Sequence, residues 1–298
     1  MKNNLNTFKL KHLPSLIIET GKAWYADEPF RLSAVVAYYS VISLPALVVV
    51  IINLVGFIWG YEIVQGQLTD EFTKALGQDA AAAIETIITE TRQSDKNTLS
   101  TLFGIATIIF GASGVFYQLK MALNDIWKIT PNPNAKIWKV VTDRILSFAF
   151  ILVIGFLLLI SFIVTAAIST LNSYIKEIFP DILVYIAYSL DFTLSVAIIS
   201  VLFALMFRYL PDAKIKWKTV WIGAIITAIL FVIGKSLLGF YFGQADPAST
   251  YGAAGIVVLV LLWVSYSSMI LFFGAEFTYI YSKKYGEGIE PSKLADKK

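Results

Sequence analysis

Lys235 stands in "LFVIGKSLLGFYFG" (230–243), among apolar, aromatic, glycine and serine neighbours. A lone ammonium in a membrane-crossing stretch costs roughly 2.5–3.5 kcal/mol on insertion scales, so it needs a counter-charge. Asp191, in "YSLDFTLSV" (188–196), offers one, and Tyr188 and Ser195 share its helical face at i−3 and i+4. Asn53, in "VVVIINLVGF" (48–57), is a further polar group in apolar surroundings. Such residues hold an ion or a polar substrate group inside a membrane, or they tie helices together. Glu276, in "GAEFTYIYSKK", forms a second candidate set with Arg208 and Arg144, as a helix-anchoring ion pair or as a gate. Gly104, Thr107, Gly111 and Gly114 recur at i, i+3, i+7 and i+10, a small-residue stripe whose first reading is close helix packing.

Other chemistries find little support. There is one histidine, His12, in a polar N-terminal stretch that reads as solvated, and there is no cysteine. Thiolate chemistry and cysteine-ligated metals are therefore excluded. Carboxylates are scattered, without a paired-aspartate, HExxH or P-loop pattern, so no catalytic residue, metal or cofactor is expected. Nuclease chemistry would require a general base with metal-binding carboxylates or gathered cations at a phosphate. The basic loops suit anionic lipid at least as well as nucleic acid, and no nucleic-acid partner is expected.

The elements that position these residues are membrane helices. Of 298 residues, 57% are hydrophobic and 15% charged; a soluble chain would carry roughly a quarter charged. Six runs are long and apolar enough to span: 32–60, 99–119, 145–171, 182–207, 220–242 and 253–281. Pro45 falls inside the first, where a kink is expected. The first run is too long for a cleavable signal. Lys and Arg number 19 in the segments 1–31, 120–144, 208–218 and 282–298, against 4 in the intervening loops. That asymmetry predicts an inner-membrane protein with both termini in the cytoplasm. The fold class expected is all-α: a bundle of six transmembrane helices with short amphipathic interfacial helices.

In domain terms, 1–31 reads as a cytoplasmic segment with an inner-leaflet amphipathic helix. Residues 32–281 are the transmembrane domain, with an acidic external loop at 61–98 that carries two short amphipathic helices. "QLKMALNDIWKI" (118–129) reads as a separate internal amphipathic helix. Residues 282–298 are polar and read as a disordered tail. On these spans Asp191 lies about 13 Å and Lys235 about 10 Å from the outer helix ends, at 1.5 Å per residue. Opposite charges at similar depth on consecutive helices should pair, whether for transport or for bracing.

Four stretches resemble the YihY/BrkB family of bacterial inner-membrane proteins, once labelled ribonuclease BN. They are "LSAVVAYYSVISLPALVVV" (32–50), "FYQLKMALNDIW" (116–127), "RYLPDAKIKWKTVWIGA" (208–224) and "YGAAGIVVLVLLWVSYSSMILFFGAEFT" (251–278). The resemblance implies a six-helix membrane protein linked to envelope integrity and resistance to host killing. It places Asn124, Trp127, Pro211, Gly274 and Glu276 on recurrent family positions. Leu44 departs from it, standing where a Phe is commoner before the proline.

Two functions follow as expectations. One is a transporter or lipid translocator in envelope maintenance, with membrane lipids as partners and a lipid or small molecule as substrate. The other is a non-transporting scaffold whose charges set helix register. A groove open to lipid would favour the first, and a packed bundle the second. Substrate, coupling ion and oligomeric state are not legible.

Overall fold

The computed structural model describes residues 8–43, 114–131, 180–245, 255–292 and 295–297, with isolated helical positions between 62 and 89 and between 142 and 157. Side chains of most residues in 180–191 lie outside the description, as do the kink expected at Pro45 and the greater part of the first three expected spans.

A single 3-10 turn, Leu10–His12, leads into α1 (Leu13–Ala26), with Pro14 in its first turn. Proline suits that position because its missing N–H would have no intrahelical acceptor there. A turn at Asp27–Glu28 leads into α2 (29–43), which opens with Pro29. α3 covers 114–126 and is followed by β1 (Ile129–Pro131). The stretch expected to form a separate internal helix is thus continuous with the helix that contains Gly114. α4 (Pro180–Tyr209) stops just before Pro211, whose ring cannot continue a helix. The short β2 (Ala213–Lys214) then joins it to α5 (Trp217–Ala245). α6 (Gly255–Tyr285) is followed by β3 (Glu290–Pro291) and β4 (Ala295–Lys297).

Three of these helices are long and apolar enough to cross a membrane, over Phe192–Tyr209, Trp217–Phe242 and Val257–Tyr285. The fold is mainly helical and membrane-embedded. The described positions in 62–73 and 82–89 are helical too, within the expected outer loop.

Two expectations need correction. The chain is not purely α, and the tail 282–298 is not disordered where it is described. Gly286 and Gly288 donate their N–H groups to the Ser282 carbonyl, closing α6, and Gly288 adopts φ 83°, which glycine tolerates without a Cβ clash. Beyond it β3 pairs antiparallel with β2 (Ala213 opposite Pro291), and β4 pairs antiparallel with β1 (Thr130 opposite Asp296). Ile289 and Ala295 enter the same apolar core as Trp127, Phe207, Leu210 and Ile215. Backbone pairing and two small apolar plugs order a stretch whose composition is polar.

Burial is uneven along the bundle. At the end carrying the strands, α4 buries Ser200, Phe203, Ala204, Met206 and Phe207, and α5 buries Val220, Gly223, Ala224, Thr227 and Ala228. Toward the other end, every described α4 side chain from Phe192 to Ile199 is at least partly exposed. A T-shaped ring pair, Phe203 with Phe231 at 5.7 Å, marks the boundary. α1 packs antiparallel on α6 through Leu16 against Phe277, Ile280 and Tyr281. The Trp24 indole donates to the Met269 carbonyl at 3.1 Å, and an ion pair joins Glu19 to Lys284. His12, expected to be solvated, instead stacks on Tyr285 with ring centroids 5.8 Å apart.

Candidate functional site

Two buried polar networks lie at the strand-bearing end. The first grows from α3, where Lys120 and Asn124, four residues apart, face inward with Leu119, Leu123 and Trp127. Opposite them is Asp212, presented as the chain leaves α4 after Pro211. Asn124 Nδ2 donates to Asp212 Oδ2 at 3.1 Å, and the Asp212 N–H donates to Asn124 Oδ1 at 2.8 Å. Lys120 Nζ lies 3.0 Å from Asp212 Oδ1, with side-chain exposures of 5% and 12%. The Asp212 carbonyl accepts the Ser292 N–H at 2.9 Å, which ties in the tail. Burying an ion pair is favourable only when its remaining lone pairs are satisfied, and here Asn124 does that. The family positions Asn124 and Pro211 thus meet at one residue, Asp212, that the sequence reading did not single out. Its signal was available: Lys120 and Asn124 share the apolar face of an amphipathic helix.

The second network surrounds Glu276. Lys128 Nζ sits 2.6 Å from both carboxylate oxygens of Asp27. Both members belong to tight turns containing the two non-glycine residues with positive φ among those described, Glu28 (52°) and Lys128 (56°). Each such conformation costs on the order of 1–3 kcal/mol and persists only where surrounding contacts impose it. Trp127, 1% exposed, imposes one: its indole donates to the Ala275 carbonyl at 3.0 Å and so fixes the end of α3 against α6. The next residue, Glu276, is 3% exposed, and its Oε2 accepts no hydrogen bond from a described residue. Among the described residues, Asp27 and Lys128 are the charged groups acting on it.

Of the two partners expected for Glu276, one is engaged elsewhere and the other is not described. Arg208 donates to the Ile215 carbonyl and lies over the Trp217 ring at 5.7 Å, satisfied within its own turn. Arg144 lies outside the described residues. Among the described residues the cation acting on Glu276 is Lys128, just past α3.

Gly274 is explained by packing. A Cβ there would lie 2.7 Å from Thr227 Cβ, and a Cβ at Gly223 would lie 2.9 Å from Thr278 Cβ. Each threonine also donates its hydroxyl to the carbonyl of the glycine four residues back, Thr227 to Gly223 and Thr278 to Gly274, both at 2.7 Å. Two glycines and two threonines form a reciprocal α5–α6 contact of the small-residue kind found between membrane helices. Of the expected stripe, Gly114 packs against Tyr39 of α2, where a Cβ would meet Cδ1 at 3.3 Å. Gly104, Thr107 and Gly111 lie outside the described residues.

At the other end Lys235 is exposed, on the flank of α5 that carries Ala224, Ala228 and Phe231 toward α4. Ser195 of α4 is half-buried. The side chains of Asp191 and Tyr188, and all of Asn53, lie outside the described residues. Among the described residues no group of three or more His, Asp or Glu is placed to hold a metal ion.

Apolar helices of spanning length, joined at one end by buried ionic networks, define an integral membrane protein. The chain belongs to the YihY/BrkB family: the family model described as "Virulence factor BrkB" matches residues 21–298. Relatives include a UPF0761 membrane protein of Pseudomonas aeruginosa, 25% identical over 84% of this chain and 58% of its own length. Another, from Alteromonas mediterranea, is 29% identical over 56% of this chain and 58% of its own length. A third, from Verminephrobacter eiseniae, is 24% identical over 59% of this chain and 40% of its own. The chain thus matches less than two thirds of the length of each. No solved structure matches.

Proposed function

We propose that this chain is a six-span inner-membrane transporter or lipid translocator serving envelope maintenance, with the strand-bearing end in the cytoplasm. The observation that carries the reading is the unequal burial of α4 and α5. Each buries one face at the strand-bearing end, whereas toward the other end the described side chains are at least partly exposed, apart from Gly234 packed on Tyr266 and Ile270 of α6; Lys235 is among the exposed ones. A lysine there, within an apolar helix, is the type of group that marks a substrate path, with Asp191 as its counter-charge. Nineteen Lys and Arg in the segments assigned to the cytoplasm, against four outside, support the orientation. Alternating access would then open the strand-bearing end and close the exposed one.

Reconstitution tests this reading. In liposomes holding fluorescent headgroup-labelled phospholipid, wild-type protein should speed loss of inner-leaflet protection against an impermeant quencher, and Lys235→Ala should slow that loss. Rates equal to protein-free vesicles for zwitterionic and anionic lipids alike would remove lipid translocation. They would favour the scaffold, which shares the tightly tied cytoplasmic end.

A further inference from the structure

Among the described residues the Glu276 network is one positive charge short. It holds two carboxylates, Asp27 and Glu276, and one ammonium, Lys128, whose contacts at 2.6 Å are to both oxygens of Asp27. Lys128 is thereby committed to Asp27, and Glu276 is left as the buried carboxyl, 3% exposed, with an oxygen that no described group satisfies. Burying a carboxylate without a partner is far more costly than burying a hydrogen-bonded neutral group. Lys120, a buried ammonium at the same end, is paired with Asp212 at 3.0 Å. From the α1–α2 turn the charged group facing Glu276 is Asp27, and from the end of α3 it is Lys128.

We infer that the Glu276 carboxyl, held beside Asp27 and Lys128, is a binding site for a single monovalent cation, either a sodium ion or a proton. A charge of one balances the network, whereas a divalent ion would overshoot it. The Lys128 and Asp27 side chains are 40% and 22% exposed, so the ion pair beside the enclosed carboxyl is itself in contact with solvent. The two positive-φ turns fix the backbone beside Asp27 and Lys128, and the Trp127–Ala275 bond holds the end of α3 next to Glu276. On the transport reading above, the site gives the coupling ion; occupancy itself does not depend on transport.

The test uses the full chain in lipid nanodiscs. Dicyclohexylcarbodiimide attacks protonated carboxyls in apolar surroundings, and its adduct on Glu276 is read by peptide mass spectrometry. For a sodium site, labelling falls severalfold when sodium replaces choline at constant pH. For a proton site, labelling ignores sodium and rises as pH falls. In parallel the wild-type melting temperature should rise by about 5 °C with the ion that binds, a saturating-ligand effect. With a proton, stability falls as pH rises, because the folded state holds a proton that the unfolded chain releases. Glu276→Gln, already neutral, should lose the dependence and still fold. Wild-type labelling and melting insensitive to both ions, or a Gln variant that keeps the response, would overturn the site. None of these readouts requires translocation, so the two readings fail separately.

Discussion

Asp212→Ala is the substitution that this architecture punishes most, and its effect can be ranked against its neighbours. The carboxylate is the shared partner of Lys120 (3.0 Å) and Asn124 (3.1 Å). Its removal takes the ion-pair partner from an ammonium only 5% exposed, which by itself costs about 3–5 kcal/mol. The lost Asn124 acceptor adds about 1 kcal/mol. Lys120→Met leaves the Asp212 carboxylate bonded to Asn124 and slightly open to solvent, so about 2–3 kcal/mol is expected. Asn124→Ala keeps the ion pair but leaves the Asp212 N–H without its acceptor, for about 1–3 kcal/mol. Intrinsic fluorescence of the seven tryptophans follows unfolding in detergent. The expected order of melting-temperature loss is Asp212→Ala, then Lys120→Met, then Asn124→Ala, with the first near 10 °C. The double variant Lys120→Met with Asp212→Leu should lose less than Asp212→Ala alone, since neither charge is left unpaired. A fully additive double, or Asn124→Ala as the worst of the three, would refute the reasoning.

Gly274→Ala and Gly223→Ala should each lower stability by about 1–3 kcal/mol through overpacking against Thr227 and Thr278. Together they should lose less than the sum, because separating α5 from α6 for one methyl makes room for the other; an additive melting-temperature loss would count against the reciprocal contact. Cysteines at Glu85 and Glu290, both exposed and in a cysteine-free chain, should react from opposite sides of the membrane. Labelling of both by an impermeant maleimide in intact cells would contradict the six-span orientation. Asp191→Asn and Lys235→Met should each destabilise more than the two combined, and exchanging the charges should restore stability. Additive losses on thermal melting would show that the residues never meet.

Hydropathy placed the long helices well: 182–207, 220–242 and 253–281 were expected, and α4, α5 and α6 run two to four residues past most of those bounds. Burial in lipid is a property of composition, and composition is local. The tail failed for the opposite reason. Its order comes from backbone pairing with segments far away in the chain, which leaves no trace in the tail's own polarity. Glu276 was legible as a buried charge, but its neighbours were not, because nothing in spacing says that Lys128 ends a helix beside α6. Lys120 looked like one more loop lysine until the inward face of α3 was known. The glycines 223 and 274 carry no meaning alone, and acquire one only when a threonine from the facing helix is found above each.

The tail joins two places at once. β1 follows α3 and β2 links α4 to α5, and one short run of chain, Glu290–Lys297, pairs with both. Its length therefore sets the distance between those two exits, as a strap does between two posts. Neither ribbon is stable by itself, since two strands in water are marginal. They hold because each keeps the other's strand in place, so loss of one pairing loosens both. A rearrangement that spreads α3 from the α4–α5 turn must peel the whole strap, while one that carries the three together leaves it intact. A short polar stretch of the chain is thus the one that restricts which helix movements are inexpensive.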